Sequence, residues 1–380
     1  MKLKRTIPAL AAVLLLQWGA AAHADAGLRR IETVATFNDA MPTGVAVSGG
    51  GRIFVNYPRW GDDVPFTVAE IVNGKAVPYP DAAFNKADPD RPVDTLISVQ
   101  SVVADGSGRL WILDTGAPAF KPPIRGGAKL VAVDLNTNRI AKIIVLSDDV
   151  VLPTTYVNDV RFDLRQGKEG VAYITDSSMS GPGGIIVVDL ATGRAFRRLS
   201  GDRTTSPDPD FQPVIDGQPL MVRPKGGKPS KFRVASDGIA LSADGGTLYY
   251  SPLSSRHLYA VPTAELRDRS ISDAQLSRQV KDLGLKGASD GLEADDRGRV
   301  YAGDYENHRV RMFENGQWTT IAESSEIQWP DTFATGSDGY LYFTANQLDR
   351  QPNFHEGADL RRKPYKLLRI PIDGGPVSLK

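Results

Sequence analysis

Six times along this chain a polar residue opens a short, almost continuously apolar run. A tight turn follows, and a second apolar run ends beside a small or acidic residue. The copies span residues 41–57, 98–116, 156–177, 235–252, 288–305 and 329–346. Each reads as two strands joined by a hairpin. The fourth copy shows it plainly: Ile239-Ala240-Leu241 and Thr247-Leu248-Tyr249-Tyr250 flank Ser242-Ala243-Asp244-Gly245-Gly246. A first strand that is apolar throughout is buried on both faces. Glycine in the connecting turn supplies the positive φ that hairpins need.

Further apolar runs follow most copies, such as Lys129 to Asp134, Gly184 to Asp189, His257 to Val261 and Val310 to Phe313. A fourth run often follows these, such as Ile140 to Val145. Four strands per unit of about 60 residues describe a propeller blade. The expected fold is therefore all-β, a six-bladed β-propeller with four-stranded blades around a central channel. The strand at Ile31–Phe37 and the last strand, Leu367–Ile372, are expected to share a sheet and close the ring. A pair of β-sandwiches is the alternative, but it gives no reason for a polar residue to open each copy. One helical interruption is expected at 263–283, where Ser272 to Gln275 has capping-box spacing ahead of Leu276 and Val280. The stretch 200–234, rich in Pro, Asp and Gly, reads as a flap over one mouth of the ring.

Composition narrows the picture. The 380 residues carry 45 basic and 45 acidic side chains, so no basic excess points to nucleic acid. Cysteine is absent, which excludes disulfides, thiolate metal ligands and a cysteine nucleophile. Lys2, Lys4 and Arg5 precede an apolar stretch from Ile7 to about Ala22, and Ala22-His23-Ala24 has the small-residue pattern of a cleavage site. Residues 1–24 are thus expected to be a signal peptide and 25–380 a single propeller domain, exported to the periplasm or the extracellular space. An N-terminal membrane anchor is the alternative, with an apolar run short of the roughly 20 residues a spanning helix needs. After cleavage no membrane contact is expected, and the mature chain is expected to be a monomer.

Aligning the copies on their first strands brings Thr43, Gln100, Asn158, Asp237, Asp290 and Asp331 to equivalent positions. In a propeller the innermost strands line the channel, so these side chains are expected to meet at one mouth. They offer only oxygen and amide groups, the ligand type of a hard cation, Ca²⁺ in preference. Without a cation, converging carboxylates repel and at least one pKa rises. Singly, an Asp before Gly at a strand entry is ordinary turn chemistry. As a set in one frame, the openers point to a site. The expected metal ligands are Asn158, Asp237, Asp290 and Asp331, with Asp290 as the proton-moving group. Thr43, Gln100, Tyr156, Tyr305 and Trp329 are expected to contact a small-molecule ligand. Asp159 is expected to alternate away from Asn158. A second recurring set, Asn56, Asp114, Asp176 and Asp304, closes the second strands and is expected to serve in turns. No nucleophile elbow, phosphate-binding loop or dinucleotide fingerprint occurs.

Several segments resemble the yellow / major royal jelly protein family: Leu110 to Gly116, Lys129 to Leu135, Tyr156 to Val160, Ile174 to Ser177, Tyr250 to Arg256 and Leu341 to Leu348. The resemblance covers nearly the whole mature chain in order. It implies a secreted six-bladed propeller, and the lack of the cysteines found in insect members implies a bacterial one. Family functions are varied: pigment-pathway proteins credited with dopachrome conversion, nutritive proteins, and salivary proteins that bind biogenic amines in the channel. A more distant similarity is to the gluconolactonase / senescence-marker lactonase propellers, whose axial divalent cation is held by blade-opening residues. Asn158, Asp237 and Asp290 match those places. The first-blade glutamate of that family is Thr43 here, and Asp331 would have to supply the missing carboxylate. Two functions follow as expectations. One is a metal-assisted enzyme, lactonase-like or tautomerase-like. The other is a binding protein for small amines or aromatic ligands.

Overall fold

A computed structural model describes residues 27–380. The expected signal segment, residues 1–24, lies outside the described residues.

Six antiparallel four-stranded sheets stand around one axis. Their innermost strands are Gly44–Val47, Val99–Ala104, Val157–Asp163, Ser236–Leu241, Leu292–Ala294 and Pro330–Thr335, here taken as blades 1 to 6. Each innermost strand packs against those of its two neighbours, and blade 6 returns to blade 1. The closure expected from sequence is present. Glu32–Phe37 pairs antiparallel with Tyr365–Pro371 and forms the outer edge of blade 6. The first and last strands of the described residues thus share one sheet.

The core lies between the blades. Trp111 of blade 2, fully buried, stacks on Phe162 of blade 3 with ring centroids 4.9 Å apart. Phe54 of blade 1 packs with Leu110 and Ile112 of blade 2, and Leu292 and Val300 of blade 5 with Ala240 and Leu258 of blade 4. Burying such side chains supplies the main favourable term, about 25 cal/mol per Å² of apolar surface.

The inner strands approach so closely that a side chain at either of two glycines would force backbone to shift. A Cβ on Gly238 would lie 2.4 Å from the Asp290 carbonyl oxygen, and one on Gly291 would lie 2.4 Å from that of Asp331. The Asp-Gly pairs therefore reflect contact between blades as well as turn geometry.

The helical interruption consists of two short helices, Thr263–Arg267 and Asp273–Ser277, and Ser272 with Gln275 forms the capping box. The second helix is shorter than its pattern suggested, because Lys281–Leu285 becomes the outer strand of blade 4. The 200–234 stretch carries two small hairpins, Val214–Ile215 with Gln218–Pro219 and Met221–Val222 with Ser230–Lys231. At the opposite face the C-terminal tail crosses the channel. Pro376 bridges to Asp295, Leu164 N–H donates to Leu379 O (2.8 Å), and Lys380 Nζ donates to Gly106 O (2.9 Å).

Candidate active site at the flap-side mouth

The blade-opening residues owe their placement to bulges. In blades 2, 3, 4 and 6 the register between the first two strands slips around Gln100, Asn158-Asp159, Asp237-Gly238 and Asp331-Thr332. An inserted residue breaks the ladder and re-aims side chains. Blade 1 has no slip: Gly44 pairs directly with Asn56. Thr43 is accordingly fully buried, and its hydroxyl accepts from Asn56 Nδ2 at 2.9 Å. In blade 5, Asp290-Gly291 precedes the strand, and Gly291 N–H donates to Asp331 O (2.9 Å).

Asp237, Asp290 and Asp331 come together and are all buried. The carboxyls of Asp237 and Asp290 lie close enough for each to act on the other's ionisation. Burial is the main cause that lifts the Asp290 pKa, to about 6. Burial, followed by the charge of Asp290, holds Asp237 well above the usual carboxylate range, and the same two causes act on Asp331. The environments of the first two differ. Asp290 Oδ2 accepts from Trp329 Nε1 at 2.7 Å, a donor that favours its ionised form. Asp237 Oδ2 lies 2.8 Å from Ser177 Oγ, which has a second acceptor in Ser236 O at 2.9 Å. Both oxygens of Asp331 are engaged, by Asn346 Nδ2 (2.6 Å) and by Thr332 Oγ1 (3.2 Å).

Trp329 has a φ of 50° and stands immediately before a proline. That combination is strained for a bulky residue and is maintained only where surroundings enforce it. Here its indole stacks on Tyr305 with centroids 4.1 Å apart while its N–H holds Asp290. On the far side of the mouth, Trp60 Nε1 donates to Tyr156 Oη (2.8 Å), which donates to Gln100 Oε1 (2.9 Å). Asn158 Nδ2 donates to Ser177 Oγ at 2.9 Å.

The flap covers these groups. Phe211, Ile215, Leu220 and Phe232 pack with Tyr305, Trp329, Leu348 and Phe354. It is tied down by Glu306, which accepts from Val214 N–H (2.7 Å), and by Asp216, 2.8 Å from His308 Nε2. On the tail side, the channel forms a cavity of about 70 Å³ lined by Val45, Val102, Arg161, Leu241, Glu293 and Phe333, one from each blade. Asp159 turns from Asn158 toward this level, and its Oδ1 accepts from Ser101 Oγ (2.7 Å) and Arg161 (2.9 Å). Burial pushes the Glu293 pKa up to about 7.

The residues that close the second strands serve as anchors. Asp114 accepts from Ile97 and Ser98 N–H and pairs with buried Lys129 at 2.7 Å. Asp176 accepts from Tyr156 N–H and pairs with Arg197. The functional neighbours that sequence reasoning missed, Ser177 and Asn346, stand one residue beyond Asp176 and Ala345. Aligning the copies one position later would have found them. Lys286 was also missed. It is fully buried, donates to Ser255 O and Gly287 O, and burial pushes its pKa down to about 7.

Among the described residues no three His, Asp or Glu side chains form a cation cage. The donor chemistry of a smaller set still fits a hard cation. Asn158 Oδ1, Asp237 Oδ1 and Asp290 Oδ1 accept from no N–H or O–H among the described residues, whereas both oxygens of Asp331 are engaged.

The comparisons with known proteins agree with this architecture. Residues 97–369 match the family described as major royal jelly protein. The chain belongs to that family. Among curated relatives, "Protein yellow" of Drosophila guanche is 30% identical over 251 residues, covering 62% of this chain and 41% of the relative. That of Drosophila erecta is 28% identical over 249 residues, covering 62% and 43%. The matched part is thus well under half the length of these relatives. Among solved structures, a luciferin-regenerating enzyme aligns over 93% of this chain and 99% of its own, with TM-score 0.56 and 14% identity. A regucalcin from Agrobacterium tumefaciens, described as calcium-binding, aligns over 91% and 96% with TM-score 0.52 and 14% identity. A gluconolactonase from Xanthomonas campestris aligns over 90% and 89% with TM-score 0.53 and 13% identity. At such identities the likeness concerns the fold alone.

Proposed function

We propose that the flap-side mouth is a proton-transfer site acting on a small cyclic carbonyl compound, by lactone hydrolysis or by tautomerisation. The observation that carries this reading is the Asp237–Asp290 carboxyl pair, buried, adjacent and set in unlike surroundings. Two titratable groups whose environments differ divide into acid and base. Asp290, beside the Trp329 N–H, is the base, and Asp237 carries the proton. In hydrolysis Asp290 takes a proton from water as its oxygen attacks the carbonyl carbon, and Asp237 protonates the departing ring oxygen. In tautomerisation Asp290 removes a carbon-bound proton while Asp237 protonates the carbonyl oxygen. The flap covers the pair, so the Asp290 carboxylate and the Asp237 acid act at low dielectric.

A divalent cation held by Asn158, Asp237 and Asp290 would polarise the carbonyl when bound. The N-terminal basic and apolar pattern supports export of the chain. A second reading, capture of an amine without turnover, draws on the aromatic wall of Trp329 and Tyr305 beside the carboxyls.

The test is turnover of a lactone panel and of dopachrome by wild type, Asp290→Asn and Asp237→Asn, with and without Ca²⁺. Loss of at least a hundredfold in both variants is expected. Equal rates in all three proteins would refute the catalytic reading. Amine binding without turnover in wild type would favour the second.

A further inference from the structure

The seam where the ring closes holds a second cavity, apart from the mouth. It measures about 360 Å³ and lies where the first strand, Glu32–Phe37, meets the outer hairpin of blade 1, Val68–Val72 with Lys75–Pro78. Residues 36–40 supply one wall and residues 74–76 another, and Tyr57 and Phe66 belong to the lining. That volume falls at the small end of ligand pockets, which run roughly 300–1,000 Å³.

Three of the lining residues are aromatic and touch one another. Tyr57 stands edge-to-face with Phe37, centroids 5.8 Å apart, and with Phe66, 5.9 Å apart, each at 76°. Phe37 and Tyr57 are fixed by the core between blades 6 and 1, and Phe66 is half-buried against it. Rings set at right angles form the corner of an aromatic cage, which attracts a cation.

Two side chains of opposite charge stand on the walls. The Asp39 carbonyl accepts from Lys363 Nζ at 2.7 Å, while the Asp39 carboxylate has no ion-pair partner among the described residues. That carboxylate acts on the phenol: burial, and after it the Asp39 charge, push the Tyr57 pKa up, so the ring stays neutral. Lys75, on the other wall, is exposed and likewise unpaired among the described residues.

These features select a chemical class. A primary ammonium brings three N–H donors, and a donor left unmet costs binding. Asp39 is the one carboxylate in this lining. A fully methylated ammonium has no N–H to satisfy and gives its methyl groups to the rings. Lys75 repels a bare cation but attracts one that carries its own anionic group. We propose that the seam cavity binds a zwitterionic quaternary ammonium, a betaine-like or phosphocholine-like group, with its methylated nitrogen against Tyr57 and Phe66 beside Asp39 and its anionic end at Lys75. This does not depend on the reading above, since none of the mouth carboxylates lines the cavity.

Calorimetry with glycine betaine, glycine, choline and phosphocholine tests it. Wild type should bind glycine betaine and phosphocholine about tenfold more tightly than glycine, which lacks the methyl groups. Phe66→Leu keeps the apolar bulk and removes the π face, so glycine betaine and choline should each weaken by about tenfold. Lys75→Gln, at an exposed position, should weaken glycine betaine severalfold and leave choline as tight or tighter. Capture of the protein on phosphatidylcholine vesicles, blocked by free phosphocholine, would identify a lipid headgroup as the source, and binding of the free compounds without capture a soluble one. Glycine binding as well as glycine betaine, binding of none of the four, or affinities unmoved by both substitutions would overturn the proposal. Asp290→Asn should leave these affinities as they are; a matching loss there would put the ligand at the mouth and overturn it as well.

Discussion

Replacing Asp290 by Asn should stabilise the protein at alkaline pH. Burial moves this carboxyl from 3.8 to about 6 in the folded chain. At 1.36 kcal/mol per pKa unit, that difference is linked to about 3 kcal/mol of stability. The sign follows from where the proton binds more tightly. The folded state holds it better than the unfolded chain, so its contribution is fully present below pH 3.8 and is lost as pH rises through about 6. Asparagine has the same shape, can accept from Trp329 Nε1, and never ionises. Wild type and Asp290→Asn should therefore be similar in urea unfolding at pH 4. By pH 8 the variant should be more stable by an amount approaching about 3 kcal/mol. Parallel stability curves across that range would refute the claim that burial disfavours the Asp290 carboxylate more than the Trp329 N–H favours it. If a cation occupies the mouth, millimolar Ca²⁺ should close the gap at pH 8 by stabilising wild type alone.

Two further substitutions probe the scaffold. Gly291→Ala should cost about 1–3 kcal/mol in chemical denaturation, because its Cβ would meet the Asp331 carbonyl oxygen at 2.4 Å and backbone must yield. Asp114→Asn should cost about 3–5 kcal/mol, because it strands the fully buried Lys129 ammonium that it pairs with at 2.7 Å. Thermal unfolding of the variant with and without Lys129→Met should reveal partial rescue.

Blade architecture was readable because it depends on patterns that repeat. Apolar runs, hairpin turns and the two outermost strands of blade 6 stand in the structure within a residue or two of where periodicity puts them. The mouth was readable only in outline. Asp237, Asp290 and Asp331 converge, as alignment of the openers suggested. Thr43 does not join them, because blade 1 lacks the bulge that re-aims the other openers, and a bulge leaves no mark in hydrophobic pattern. The engagement of Asp331 by Asn346 was hidden for a different reason: it depends on a residue from the adjacent strand, 15 positions away. The directional link from Trp60 through Tyr156 to Gln100 joins three blades and has no local signature at all.

The last residues of the chain have a consequence of their own. By lying across the far face against Asp295, Leu164 and Gly106, they act as a stopper that turns a tube into a cup. A guest of the proposed site would then enter and leave by one door, the flap. Arrival and departure become the same motion run in opposite directions. Loosening the ties of the flap through Glu306 and Asp216 would speed both alike, while trimming the tail beyond Asp373 would open a back exit and uncouple them.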